Sequence, residues 1–310
     1  MIKNKGIFLI MLFYTYIFVS SGWTKDASPT FYNTFDVEQT NTRAIGLGGA
    51  FTGVNAPSEG SIWNPAVIAQ TTNNFGGISF QQGSGFNSER KGVSSICMIG
   101  NNIAIGWQGI EDYKDENVEI KVSKIFFTTA SKQYKSNLLG INFGYIYGMI
   151  GETEENQSNV DSLNGFSVDW GLFYNLSERM NIGVVFFNAP GFVYYSDYHK
   201  DVLPFSFQAG VSLRIPYTLL SFDYQKHYYR KPFPENKDFT YHFGMEVNVR
   251  NVSLRWGSFG NEIDFKDDDR SFGIGYIFKN WRMDFAYREV SSEKQYFMTI
   301  IFSLPKEKVQ

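Results

Sequence analysis

Phe239-Thr-Tyr-His-Phe-Gly-Met-Glu-Val-Asn-Val249 alternates without a break. Phe239, Tyr241, Phe243, Met245, Val247 and Val249 fall on one face, and Thr240, His242, Gly244, Glu246 and Asn248 on the other. Successive side chains of a strand point to opposite faces, so this spacing fits an extended chain and no amphipathic helix. Working outward, the same separation returns in Trp281, Met283, Phe285 and Tyr287 opposite Arg282, Asp284, Ala286 and Arg288. It returns again in Phe205 to Ile215, in Phe166 to Tyr174 and in Leu139 to Tyr147. The polar faces are rich in glycine and small residues, as expected where something packs closely inside.

Reading every such run from Phe75 to Leu304 gives about fourteen strands, an even number in the range of single-chain transmembrane barrels. Connection lengths support a barrel. From Leu138 onward, tight turns such as Arg250-Asn251 and Lys279-Asn280 alternate with long polar connections, Gly151–Asn164, Ala189–Leu203, Gln225–Asp238 and Gly260–Asp269. Short turns on one side and long loops on the other are the habit of outer-membrane barrels, and a soluble sandwich has no reason to sort its loops in this way. Aromatic residues form 18% of the chain, yet hydropathy stays slightly polar, which suits strands that show only one face to lipid. Trp107, Trp170, Trp256 and Trp281 fit interfacial girdles.

The start of the chain reads as a secretory signal: Lys3 and Lys5, an apolar run from Gly6 to Val19, then Ser20, Ser21 and Gly22. Between this leader and the strands lies Asn41–Gln70, in which Gly46, Gly48, Gly49 and Gly53 crowd one short run. Glycine at that density implies backbone that bends tightly or lies against another surface. Asn64-Pro65 is a helix-start signal, and a short helix from Pro65 to Thr71 is predicted. The expected fold is therefore all-β: an antiparallel transmembrane β-barrel of about 14 strands with an N-terminal plug containing a short helix. The expected limits are a signal peptide over residues 1–22, a plug over 23–73, the barrel over 74–305 and a tail over 306–310.

Several function classes are disfavoured by composition. A net charge of −3 supplies no basic field for nucleic acid. The chain has three histidines and one cysteine, His199, His227, His242 and Cys97, a poor supply for a metal site. Gly46-x-Gly48 lacks the βαβ context of a dinucleotide fingerprint. No cofactor, no metal and no enzymatic activity are expected. Under the strand register, Asp169, Arg214, Asp223, Glu246, Arg255, Arg282, Asp284 and Arg288 all point inward. Buried charges must pair, so these residues are expected to meet one another, plug backbone or lumen water, forming a network that clamps the plug or, alternatively, lining a solute path. The earlier strands carry less inward charge, which places an apolar ligand beside Ile146, Val185 and Phe187.

One resemblance adds to this reading. Arg43-Ala-Ile-Gly-Leu-Gly-Gly-Ala-Phe-Thr-Gly53, followed by Trp63-Asn64-Pro65-Ala66, resembles the N-terminal signature of FadL-like outer-membrane proteins, the long-chain fatty-acid transporter superfamily, and especially its PorV/PorQ-like branch. Arg43, Gly46, Gly48, Gly49, Phe51, Trp63, Asn64 and Pro65 carry the match. Pro57-Ser58-Glu59-Gly60 departs from it, standing where many relatives have a more acidic segment. The resemblance implies a plugged barrel in the bacterial outer membrane, in contact with its lipids. Such a barrel either passes small hydrophobic molecules or serves a protein-secretion assembly as a non-transporting component.

Overall fold

The computed structural model describes residues 41–84, 91–114, 118–133, 136–154, 157–196, 200–228, 239–261, 269–290 and 293–304. The predicted signal peptide, residues 23–40 of the predicted plug, and the tail lie outside the described residues. The strands are β1 (Asn74–Ser84), β2 (Lys91–Gly100), β3 (Ile103–Lys114), β4 (Val118–Lys132), β5 (Asn137–Glu154), β6 (Gln157–Asn175), β7 (Met180–Phe187) and β8 (Gly191–Tyr195). They continue with β9 (Lys200–Val202), β10 (Phe205–Ile215), β11 (Thr218–Tyr228), β12 (Phe239–Val249), β13 (Val252–Gly260), β14 (Asp269–Phe278), β15 (Trp281–Val290) and β16 (Glu293–Leu304). All pairings are antiparallel, and β1 pairs with β16, so β1–β7 and β10–β16 close a ring of fourteen strands. Closure leaves no open edge, which is the condition for a sheet to stand in lipid.

Two predicted connections prove to be strand. The expected loop Ala189–Leu203 contains β8 and β9. The regular ladder of β7 on β6 ends at the Trp170↔Phe186 pair, just before Asn188 takes φ 53°. Beyond this break β8 resumes pairing with β6 at Leu163–Ser167, and β9 pairs with β8. The backbone of Val168 spans the break, accepting from Ala189 N and donating to the Pro190 carbonyl at 2.7 Å each, and the indole Nε1 of Trp170 also donates to the Ala189 carbonyl at 2.7 Å. The expected loop Gly151–Asn164 is likewise short, because β5 and β6 stay paired from Gly151↔Val160 to Glu154↔Gln157. Alternation marks a strand only where its two faces meet surroundings of different polarity. Where both faces are polar, the period vanishes although the hydrogen bonds continue.

Outward side chains form an apolar band: Ile105, Phe127, Phe143, Leu254, Phe272, Ile274 and Phe285 are each exposed by 44–54%. Inward neighbours are polar or small and buried, among them Thr128, Ser167, Gln208 and Ser271. Residues 41–73 lie against these inward faces. Helix α1 (Thr42–Gly46) meets β13–β16, α2 (Gly60–Trp63) follows, and a 3-10 helix (Pro65–Gln70) meets β3–β6. The Asn64 side-chain oxygen accepts from Ala66 N at 3.1 Å, so the predicted start signal holds, but the turn is 3-10 and ends at Gln70. Helices this short do not form alone in water, and burial against the wall fixes them.

Candidate functional site

The inner segment runs along the wall rather than straight across the lumen. From its N-terminal end it faces Ala286 and Phe297 through Ile45, Gly273 through Gly46, Gly257 through Gly48, Gly244 through Leu47 and Gly210 through Gly53. It then meets Gly183 through Thr52, Gly171 through Asn64 and Gly140 through Pro65, ending with Ile68 among Ile99, Ala104 and Ala130. A side chain at Gly183, Gly257 or Gly140 would collide with the segment's own backbone. Small inward residues thus make room for a second layer of chain. Gly48 and Gly49 hold φ 64° and 83°, the left-handed turn that carries the segment from α1 to Phe51. Phe51 packs edge-on against Trp63 at 5.8 Å, in a buried cluster with Leu47, Val54 and Leu219.

A closed ring of ion pairs joins this segment to the wall. Arg43 Nε and Nη2 both donate to the Glu246 carboxylate at 2.8 Å. Arg255 meets Glu246 at 2.6 Å and Asp284 at 2.7 Å. Arg282 meets Asp284 at 2.8 Å and Glu59 at 2.9 Å, and Arg43 Nη1 returns to Glu59 at 3.8 Å. Every cation touches two anions, every anion two cations, and the ring is neutral. Side chains other than Arg282 are at most 9% exposed. Burial acts to lower the Arg43 pKa, but Glu246 and Glu59 outweigh it and hold the guanidinium above its ordinary value. Arg43 is therefore a fixed charge.

The remaining predicted network members go elsewhere. Asp223, fully buried, accepts from the backbone of Phe51 at 2.9 Å and of Thr52 at 2.8 Å, and from Gln208 Nε2 at 3.1 Å. It holds the segment by its amides. Asp169 pairs with Lys124 at 3.0 Å and accepts from Asn142 and from Asn188 N. Arg288 hydrogen-bonds Gln295 and stands over the rings of Phe259 and Phe297. Arg214 is the clear correction: it has the inward register but sits exposed past the segment, at the short-turn rim. Inward parity implies burial only at heights where something fills the lumen.

Some participants were not anticipated. Glu59 sits in the stretch that departs from the family signature, where no spacing marks it. Lys124 was legible in principle: Ile125 and Phe127 point outward, so Val122, Lys124 and Phe126 must point inward. Its burial also corrects the expectation of low charge on the early strands. His242 contacts the Gly48 carbonyl through Nδ1 at 2.7 Å, and Ser206 Oγ lies 2.9 Å from His227 Nδ1, both pairs on the inward face.

Toward the long loops, Ile146 joins Val122, Leu163, Val193 and Leu203 in a buried apolar cluster. Val185 and Phe187, on β7, are fully buried inward side chains. The residues expected to line a ligand side are thus inside the barrel, with the Lys124–Asp169 pair on neighbouring strands. A cavity of about 450 Å³ opens near the short-turn end, with Gln70, Thr72, Lys132 and Asn175 in its lining. Among the described residues, no group of three or more His, Cys, Asp or Glu side chains is placed to hold a metal.

No family model matches the chain, and no curated protein matches it. Solved structures do. A structure described as the CymD monoaromatic hydrocarbon channel is similar over 89% of this chain and 100% of its own, at 15% identity and TM-score 0.64. The toluene transporter TbuX of Ralstonia pickettii matches over 87% and 98%, at 13% identity and TM-score 0.61. The toluene transporter TodX of Pseudomonas putida matches over 87% and 99%, at 12% identity and TM-score 0.63. With these three channels the chain shares the fold along nearly its whole length.

Proposed function

We propose that this chain is a channel of the bacterial outer membrane for small hydrophobic molecules, reached by signal-peptide export, with residues 41–73 acting as its plug. One observation carries the reading: a closed fourteen-strand wall with an apolar exterior is filled on its inside by a separate segment tied down with polar contacts. Chain held in this way can shift without opening the wall. The match to hydrocarbon channels along almost the full length of both chains supports the reading. The short turns then face the periplasm. Arg43, Gly46, Gly48, Gly49, Phe51, Trp63, Asn64 and Pro65 form the plug, and Ile146, Val185 and Phe187 mark the ligand side.

The test is uptake of a monoaromatic hydrocarbon such as toluene by cells with and without the chain, together with Phe187→Asp. Faster uptake with the wild-type chain and a clear loss with the variant are expected. Unchanged uptake after Phe187→Asp, with the variant present in the membrane, counts against the ligand side. Unchanged uptake on deletion of the chain, together with stable co-purification of secretion proteins, would favour the PorV-like reading.

A further inference from the structure

The short-turn rim carries an unbalanced charge. Lys132, Arg179, Arg214, Arg250 and Lys279 are all exposed there, against one exposed carboxylate, Glu178, among the described residues. The nearby ion ring is neutral in itself and cancels none of this. Two of the cations also occupy costly positions. Arg250 and Lys279 hold φ 53° and 52°, in the left-handed region that asparagine and glycine enter most readily, and the Asn101-Asn102 turn uses asparagine at φ 49° and 67°. Turn chemistry alone would favour Asn or Gly at both places.

Two of the cations sit beside large apolar side chains at the border of the outward-facing band, Arg250 by Val249 and Lys279 by Phe278, with Ile215, Trp281 and Tyr217 close by, while Arg214 reaches the rim from the inward face. The Lys279 Nζ lies 5.4 Å from the centre of the Phe278 ring. Long cationic side chains with their stems on apolar surface and their heads at its edge sit at headgroup depth. Arg214 N donates to the Arg179 carbonyl at 2.7 Å, which brings these two cations together on adjacent turns.

We infer that this rim binds the phosphates of anionic phospholipids in the leaflet on the short-turn side. The inference rests on the membrane reading above and adds a partner to it. A soluble acidic protein would be met by the same charges, but the adjacent apolar residues favour a ligand that brings its own acyl chains.

The test is native mass spectrometry of the purified full chain released from micelles holding equal phosphatidylglycerol and phosphatidylcholine of matched chains. The wild type should carry phosphatidylglycerol in preference. Each surface cation changes such partitioning by roughly fivefold, so R179Q/R214Q/R250N/K279N should lower the preference by at least about tenfold. Asparagine suits the backbone at residues 250 and 279, and heat-modifiable migration of the variant will show an intact barrel. A wild type with no preference, or a variant that keeps it, overturns the inference while leaving the channel reading in place. Equal binding of soluble polyglutamate, lost in the same variant, would assign the rim to an acidic protein instead. Failure of the wild type to insert into bilayers would sink the membrane reading, and this inference with it.

Discussion

Replacing Arg43 by Gln should loosen the inner segment far more than it disturbs the wall. The substitution strips Glu246 and Glu59 of one cation each and leaves the buried ring with a net negative charge. Removing one partner of a buried ion pair costs about 3–5 kcal/mol, because the remaining charge keeps its desolvation penalty without its compensation. Glu59→Gln does the converse to Arg43 and Arg282. The double variant R43Q/E59Q, however, removes one charge of each sign and leaves Glu246–Arg255–Asp284–Arg282 as a neutral chain in the wall. Its cost should be close to that of one single variant, so the two singles couple by the cost of one of them, about 3–5 kcal/mol. The same arithmetic means that the segment can leave without stranding net charge on either side, since Arg43 and Glu59 depart together. The chain supplies its own reporter, because its one cysteine, Cys97, lies 3.3 Å from Ser61 of the segment. Maleimide labelling of Cys97 should quicken by about a hundredfold or more in either single variant if opening is in rapid equilibrium. In the double variant it should be far slower than the product of the two single effects. Strictly multiplicative effects would refute the idea that the six side chains act as one closed unit.

Other perturbations follow from the same contacts. Gly183→Val places a side chain against Thr52 O and should cost about 1–3 kcal/mol or more by overpacking, whereas Gly76→Ala, whose added carbon meets Phe302 at an ordinary 3.7 Å, should change little; urea unfolding in phospholipid vesicles compares them. Asp223→Ala strands the amides of Phe51 and Thr52 and should destabilise by about 3 kcal/mol in that assay, with faster Cys97 labelling. Lys124→Met leaves Asp169 without its cation and should cost about 3–5 kcal/mol, most of it recovered in K124M/D169N. Recovery of none of it would mean that the cost of Lys124→Met does not come from an unpaired Asp169 charge.

The sequence was most legible where lipid and lumen impose opposite demands on neighbouring residues. Phe239–Val249 was read to the residue, and the run from Phe205 to Ile215 matches β10 at both ends. Legibility failed where that contrast fades. Above the apolar band the β5–β6 pair looks like polar loop, and Ala189–Leu203 reads as a long loop although pairing with β6 resumes at Gly191. The site was half visible in the same way. Parity found Glu246, Arg255, Arg282 and Asp284, but it placed Arg214 with them because parity carries no information about height along the barrel.

What the sequence alone determined was the face on which each strand residue lies, because a two-residue period follows from backbone geometry at short range. It also implied backbone that bends tightly or lies against another surface at Gly46–Gly53. What only the tertiary structure decided was which inward groups share a height and therefore meet. Arg43 and Glu246 are 203 residues apart and bonded at 2.8 Å, while Asp223 faces the same lumen and serves the amides of Phe51 and Thr52 instead. Partnership in this protein depends on how far each strand is staggered in the closed wall and where the inner segment lies along it, and both are set by closing the whole ring.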